Sequence, residues 1–295
     1  MNAQFAAGRD FILRQGRVLE RRLFATCFEG APPAGVVSAL RGYSNDDGGF
    51  GHGLEPDKRC PASLPIDVEV ALQSLVAAGT TDDQLVGAAC EYLAKVAAEA
   101  DAGGAVPPAF PVIEGYPRAE HWTDWTYAPS VNPTAGLVGL LWRLGARHPW
   151  IDEAAAWCWS QIEGSALPDE VHALSEVFVF LAHAPERDRA EKAVGQVRDQ
   201  LLSTSMFQLD PSAKGYGLSP LSIAPSADSR WRVLFSDEVI NAHLNSLQHK
   251  QEADGGWPIT WEPPSDASRL EWRGIVTLGA LRTLTSYGRF TATTR

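Results

Sequence analysis

The sequence predicts an all-α protein: an α/α toroid of concentric inner and outer helices, with its long loops gathered at one end. Three observations predict it. An Asp-Gly-Gly-aromatic turn occurs twice, at Asp47-Gly48-Gly49-Phe50 and at Asp254-Gly255-Gly256-Trp257, about 200 residues apart. Each turn opens a polar loop that runs into an apolar helix, so one plan is repeated. Helices that are apolar nearly all round alternate along the chain with helices that keep one polar face. No segment shows sustained period-two alternation of β-branched residues between hairpin turns.

The elements follow in order. After the first turn, Pro65 starts a helix through Glu69, Ala71, Leu72, Leu75 and Val76, of the buried kind. Residues 82–98 place Leu85, Ala89 and Leu93 on one stripe and keep the other face wet. Asn132 and Pro133 supply a cap and a first-turn proline for the apolar run 136–142. A mixed helix starts near Asp152. Pro168 is the expected first residue of another buried helix, apolar over 171–181 but for His172 and Glu176. In 187–202 the apolar positions are Ala190, Val194, Val197 and Leu201, one stripe of a wet-faced helix. Ser236 caps the next helix, and Ser265 with Asp266 opens the last, apolar over 274–284. All-round apolar helices are enclosed by protein, so the alternation reads as an inner and an outer layer. Long loops over 48–65, 103–131, 208–235 and 255–266 precede the inner helices, and their Trp and Tyr content is too high for disorder. If the inner helices run parallel, every long loop reaches the same end, and the site is expected there.

With 295 residues, 45% of them hydrophobic, the chain is long enough to bury a large core as a single domain over 1–295. It carries 25 basic and 36 acidic residues, a net charge of -11. That balance argues against nucleic acid and against anionic lipid as partners. The cysteines Cys27, Cys60, Cys90 and Cys158 form no C-x-x-C pair and read as reduced thiols; Cys60, in a polar loop, is the one to watch as a ligand or nucleophile. No signal peptide is visible, and no apolar run approaches the ~20 residues of a transmembrane helix, so the expected compartment is the cytoplasm.

Two stretches carry a resemblance to a known family. Gly48-Gly49-Phe50-Gly51, its polar loop and the helix ending Val70-Ala71-Leu72-Gln73-Ser74-Leu75 resemble the repeat of the terpenoid cyclase and protein prenyltransferase toroid superfamily. Gln251-Glu252-Ala253-Asp254-Gly255-Gly256-Trp257 is similar to that superfamily's Gln-Trp repeat. The resemblance implies a central cavity that takes an isoprenoid or other apolar chain. The chain departs from the family's catalytic motifs. Where class II cyclases carry Asp-x-Asp-Asp, it has Ile66-Asp67-Val68-Glu69-Val70, which lacks the third acid; Asp46-Asp47-Gly48-Gly49-Phe50 is no Asp-Asp-x-x-Asp; and no Asp, Cys and His triplet for zinc stands out.

Several residues are candidates for chemistry, each with a plainer reading. Glu69 and Asp67 lie in the first turns of an inner helix. They either compensate the helix dipole or place a desolvated proton donor, Glu69, against an apolar cavity. His52, Glu55 and Asp57 share one loop and either bind a metal or polar head group or hydrogen-bond within the loop, holding Arg59. His121-Trp122-Thr123-Asp124-Trp125-Thr126-Tyr127 is the densest aromatic and polar run; Trp122, Asp124, Trp125 and Tyr127 suit a lid or wall over a substrate. His172 and Glu176 share a helix face and form either a satisfied pair or an acid/base pair, with Glu170 nearby. Trp257, Trp261 and Trp272 are further candidate substrate contacts, and Glu262, Glu271, Arg230 and Arg273 are candidate rim residues. No P-loop, G-x-S-x-G or H-E-x-x-H motif occurs.

The leading expectation is an enzyme acting on an isoprenoid or other apolar chain by acid-initiated carbocation chemistry. Glu69 would donate the proton with Asp67 in support, and His172 or Glu176 would take one back. No cofactor is called for, and Mg2+ enters only if the substrate is a diphosphate. The alternatives are a carbohydrate-active α/α barrel and a non-catalytic ligand-binding toroid.

Overall fold

The computed structural model describes residues 2–123, 126–164 and 167–291. Among these residues the chain forms twelve α-helices and no β-strand beyond three isolated bridges. No helix among them is long and apolar enough to cross a membrane. The chain divides into two compact units, Leu40–Thr204 and Met1–Ala39 with Ser205–Arg295.

In the unit Leu40–Thr204 the helices are α4 (Pro65–Ala77), α5 (Asp83–Ala100), α6 (Val131–Arg143), α7 (Pro149–Glu163), α8 (Val171–His183) and α9 (Arg187–Ser203). Helices α4, α6 and α8 pack on one another in sequence order, α5, α7 and α9 each cover the helix that precedes them, and α7 also touches α5 and α9. Two layers result, as the alternation predicts. Helix α9 buries Ala190, Val194, Val197 and Leu201, the stripe read from the sequence. Helix α6 is buried from Val131 to Leu141 apart from Asn132, whose extended backbone leaves Pro133 to begin the regular turns. The start of α8 differs from expectation. Pro168 lies outside it, and Glu170 is the cap, because its carboxylate accepts the amides of His172 and Ala173 at 2.9 and 2.8 Å.

Two glycines let α6 approach α8. A Cβ on Gly139 would stand 2.7 Å from the Val179 carbonyl oxygen, and one on Gly136 would enter the Glu176 carboxyl group. Contacts advance together along the two helices, so α6 and α8 run parallel. The loops 48–65 and 103–131 then meet over the starts of α4 and α6. Ile66 N–H donates to Pro108 O, Arg59 N–H to Pro117 O, Ala119 N–H to Asp57 O and Val106 N–H to Thr134 Oγ1. Cys60, Leu64, Ala109, Ile113, Ala119 and Trp122 form a buried apolar cluster between the loops. Cys60 is therefore packed, 1% exposed, with burial pushing its thiol up, rather than presented as a ligand or nucleophile.

The unit Met1–Ala39 with Ser205–Arg295 holds α1 (Ala3–Gln15), α2 (Val18–Glu29), α3 (Ala34–Leu40, ending at the unit boundary), the single turn α10 (Pro220–Ile223), α11 (Asp237–His249) and α12 (Asp266–Ser286). Ser236 and Ser265 cap α11 and α12 as read, accepting from Val239 N–H and Ser268 N–H. The second Asp-Gly-Gly turn belongs to this unit, and its hydrogen bonds repeat those of the first. Gly48 N–H donates to Asn45 O and Asn45 N–H to Gly49 O; Gly255 N–H donates to Glu252 O and Glu252 N–H to Gly256 O. The Asp47 and Asp254 carboxylates accept the amides of Gly49 and Gly256 at 2.9 and 3.0 Å. Gly48 and Gly255 adopt φ of 87° and 93°, where a side chain is strained, and a Cβ on either would strike a helix backbone, at Ala88 of α5 and Ala7 of α1. Their neighbours Gly49 and Gly256 lie against Tyr92 and Phe11, one turn further along the same two helices. Helix α1 thus supports the second turn as α5 supports the first, and α1 also packs on α12.

Candidate functional site

Three helices of the unit Leu40–Thr204 bring two carboxyl groups together. Pro65 starts α4 and places Glu69 a turn inside it, 3% exposed. Helix α8 supplies Glu176, half-buried as a residue but with its Oε2 sealed from solvent. Helix α6 supplies the space, because Gly136 has no side chain. Glu69 Oε1 lies 2.9 Å from where a Cβ on Gly136 would be, and Glu176 Oε2 lies closer still. Gln73, one turn along α4, donates from Nε2 to Glu69 Oε1 at 3.0 Å.

Two ionised carboxylates in that space would repel each other in a medium that screens poorly. As an ionised acceptor, Glu176 Oε2 would also have no donor. One proton held between the two groups answers both problems. Burial pushes the Glu69 carboxyl up to about 7, against the hydrogen bonds from Glu176 and Gln73 that favour its charged form. Burial raises Glu176 well above the ordinary carboxylate range, and the Glu69 charge and the shared hydrogen bond raise it further. The pair is therefore a single acid that keeps one proton toward neutral pH.

The histidines lie nearer the surface. His172 is one turn before Glu176 on α8, its side chain 35% exposed. The spacing from His172 to Glu176 suggested that these two pair, but the structure pairs His172 Nδ1 with Glu170 and Glu176 with Glu69. The cause is local: capping holds the Glu170 carboxylate at the first amides of α8, beside the imidazole, while Glu176 turns into the helix interface. Burial pushes the Glu170 carboxyl up, but its bonds to His172 and Ala173 outweigh this and hold it below the usual range. His121 Nε2 lies 3.3 Å from Asp57 Oδ2 and feels the charges of Glu55, Lys58 and His172; burial is the main reason its pKa is lowered.

The remaining candidate acids here have partners of their own. Asp67 is 1% exposed and accepts the Glu55 amide at 2.6 Å, tying the loop 48–65 to α4. Glu55 pairs with Lys58, whose Nζ stands 4.4 Å from the centre of the Trp122 ring. His52 Nε2 meets Asn45 Oδ1 at 2.8 Å. His52, Glu55 and Asp57 thus turn to separate partners, and no group of three His, Cys, Asp or Glu among the described residues is arranged for a metal. Trp122 is buried in the cluster between the loops, and Tyr127 packs against it with its hydroxyl on Glu114 at 3.0 Å. Asp124 and Trp125 lie outside the described residues.

In the other unit, Trp257 is 2% exposed and donates its indole N–H to Leu247 O, as a core anchor does. Trp261 and Trp272 meet edge to face at 5.1 Å, with Tyr216 5.6 Å from Trp261. Arg273 is held by Asp254 at 2.7 Å and Glu252 at 2.6 Å. Glu262 pairs with Arg269. A surface hollow of about 300 Å³ in this unit is lined by His243, Ser246, Lys250 and Gly279, none of them a residue singled out from the sequence.

Sequence reasoning missed Gln73, Lys58 and Gly136. Lys58 sits in a run of charges that reads as solvated. Gly136 did carry a signal, since a glycine pair spaced three apart inside an apolar helix marks a close backbone approach. No known protein family, curated protein or solved structure matches this chain.

Proposed function

We propose that this chain is an enzyme that moves protons through the Glu69–Glu176 pair, and that its substrate is the isoprenoid or similarly apolar chain implied by the resemblance. One observation carries the reading: two carboxyl groups from different helices share a buried space at Gly136, where burial raises both above the ordinary carboxylate range. The α/α-toroid arrangement belongs to the same proposal. It is supported by the two-layer packing within Leu40–Thr204 and by the repeated turn supported by α5 and α1.

The chemistry follows from the environment. The pair is the proton donor, with Glu69 its inner member and Glu176, the less buried as a residue, its outer one. A carboxyl raised to about 7 holds its proton but gives it up weakly. Such an acid suits an oxygen acceptor, such as an epoxide or an allylic alcohol, better than a bare alkene. Donation leaves two adjacent carboxylates, which makes the pair a strong base for the proton lost from the resulting cation. Protonation followed by return of a proton is the cycle of an isomerase, or of a lyase if water leaves between the steps. Glycoside chemistry fits less well, because its two carboxyl groups stand about 5–9.5 Å apart with the scissile bond between them, whereas these two share one site.

The test is incubation in H2O and in D2O with isoprenoid alcohols, epoxides and diphosphates, the last with and without Mg2+. The expected result is a rearranged or dehydrated product, formed more slowly in D2O than in H2O because the donated proton is in flight, and formed at least about 100-fold more slowly by Glu69→Gln. Turnover that survives Glu69→Gln at the unaltered rate, or no turnover of any of these probes by the unaltered protein, would sink the proposal.

A further inference from the structure

The pair takes a proton back from the substrate in each cycle, but to titrate with the medium it must also exchange protons with solvent, and it has little contact with water: Glu69 is 3% exposed and Glu176 Oε2 is sealed. The groups around it are few. Helix α6 brings no ionisable side chain over 131–142. Helix α4 brings Glu69 itself and the uncharged amide of Gln73. Helix α8 brings Glu170 and His172, whose charges are felt at Glu176. The loop 103–131 brings His121, close enough to His172 to feel its charge and itself in contact with Asp57, with Glu55 and Lys58 beyond.

Of these, His172 alone joins the two sides. It shares a helix face with Glu176, and residues four apart on a helix have Cβ atoms about 5–6 Å apart, within reach of transfer directly or across one water. Its side chain is 35% exposed, so it also meets solvent. Its ring is not free to swing away, because Glu170 holds Nδ1 from the helix cap. An imidazole gives and takes protons in the physiological range, as a shuttle requires.

We propose that His172, oriented by Glu170, is the port through which the Glu69–Glu176 pair exchanges its proton with solvent. The inference rests on the proton-transfer reading of the pair. The imidazolium passes one proton to the doubly ionised pair, becomes neutral imidazole, and regains a proton from water or buffer; nothing else is consumed. His172 is thus a relay residue and Glu170 a positioning residue.

The experiment needs no substrate. A rapid drop in pH is applied to the whole protein, and the growth of the protonated-carboxyl C=O band is followed by time-resolved infrared spectroscopy. The band is assigned by its loss in Glu69→Gln. The expected result is that His172→Gln slows its appearance by at least about tenfold and that added imidazole restores the rate. His172→Asn serves the same purpose should His172→Gln fold poorly. A band that grows at the unaltered rate in these variants overturns the relay and leaves the pair's role intact. A protein that shows no such band near neutral pH overturns the reading of the pair itself, and the relay with it.

Discussion

Replacing Glu69 with glutamine makes the fold more stable at pH 8, by about 2 kcal/mol, and removes a loss of stability that the unaltered chain shows between about pH 4.5 and pH 7. In the unfolded chain the carboxyl ionises near its ordinary value of 4.5, and in the fold at about 7. Between those values the folded protein holds a proton that the unfolded chain has released. Stability from this group is therefore complete below about 4.5, falls as the pH rises, and is gone above about 7. The full swing is about 3 kcal/mol, since a tenfold change in proton affinity is worth about 1.4 kcal/mol. Glutamine keeps the shape, can accept from Gln73 and donate to Glu176, and has no charge to bury. Urea denaturation midpoints at pH 5 and pH 8 measure the effect. Equal pH dependence in the unaltered chain and the variant would show that Glu69 ionises as an ordinary surface acid.

Gly136→Ala is expected to destabilise the protein by about 3 kcal/mol or more. The added methyl group enters the space of the Glu176 carboxyl and stands 2.9 Å from Glu69 Oε1. Relief requires either separating α6 from α8 or parting the two carboxyls. Separation is opposed by the close contact of Gly139 with the Val179 backbone, and parting leaves a buried polar group without its partner. Gly195→Ala is the control. Gly195 lies in α9 with nothing within 4 Å of its missing Cβ, so alanine there gains about 0.5–1 kcal/mol from helix propensity alone. Thermal unfolding of the two variants checks both. Similar small shifts for the two would mean that the Gly136 space is not filled by the carboxyl pair.

Much of the helical framework was legible in the sequence because it follows from short-range physics. The stripe Ala190, Val194, Val197 and Leu201 needs only the helical period, and the Ser236 and Ser265 caps need only a hydroxyl beside free amides. The two Asp-Gly-Gly turns were legible because glycine at positive φ leaves a strong mark in a sequence, and their hydrogen bonds prove equivalent. Glu69 was legible as an acid at an apolar helix start, and Glu176 as a charge in an apolar helix. That they meet was not legible, since the contact joins residues of α4 and α8 across α6 and depends on the depth of helix packing at Gly136. Local competition hid the rest. Glu170 displaces Pro168 as the mark of the start of α8 because a capping carboxylate satisfies two amides. The loop acids Glu55 and Asp57 turn to Lys58 and His121 instead of converging as His52, Glu55 and Asp57.

The central claim is that Glu69 and Glu176 hold one proton between them toward neutral pH. Titration of the glutamate side-chain carboxyl carbons by 13C NMR, with Glu69→Gln and Glu176→Gln used for assignment, measures it directly. The predicted result is two coupled transitions from these residues, at least one of them displaced upward to about 7 or beyond, and each displaced transition shifting when the other residue is replaced. Two independent transitions near the ordinary value of 4.5 would contradict it.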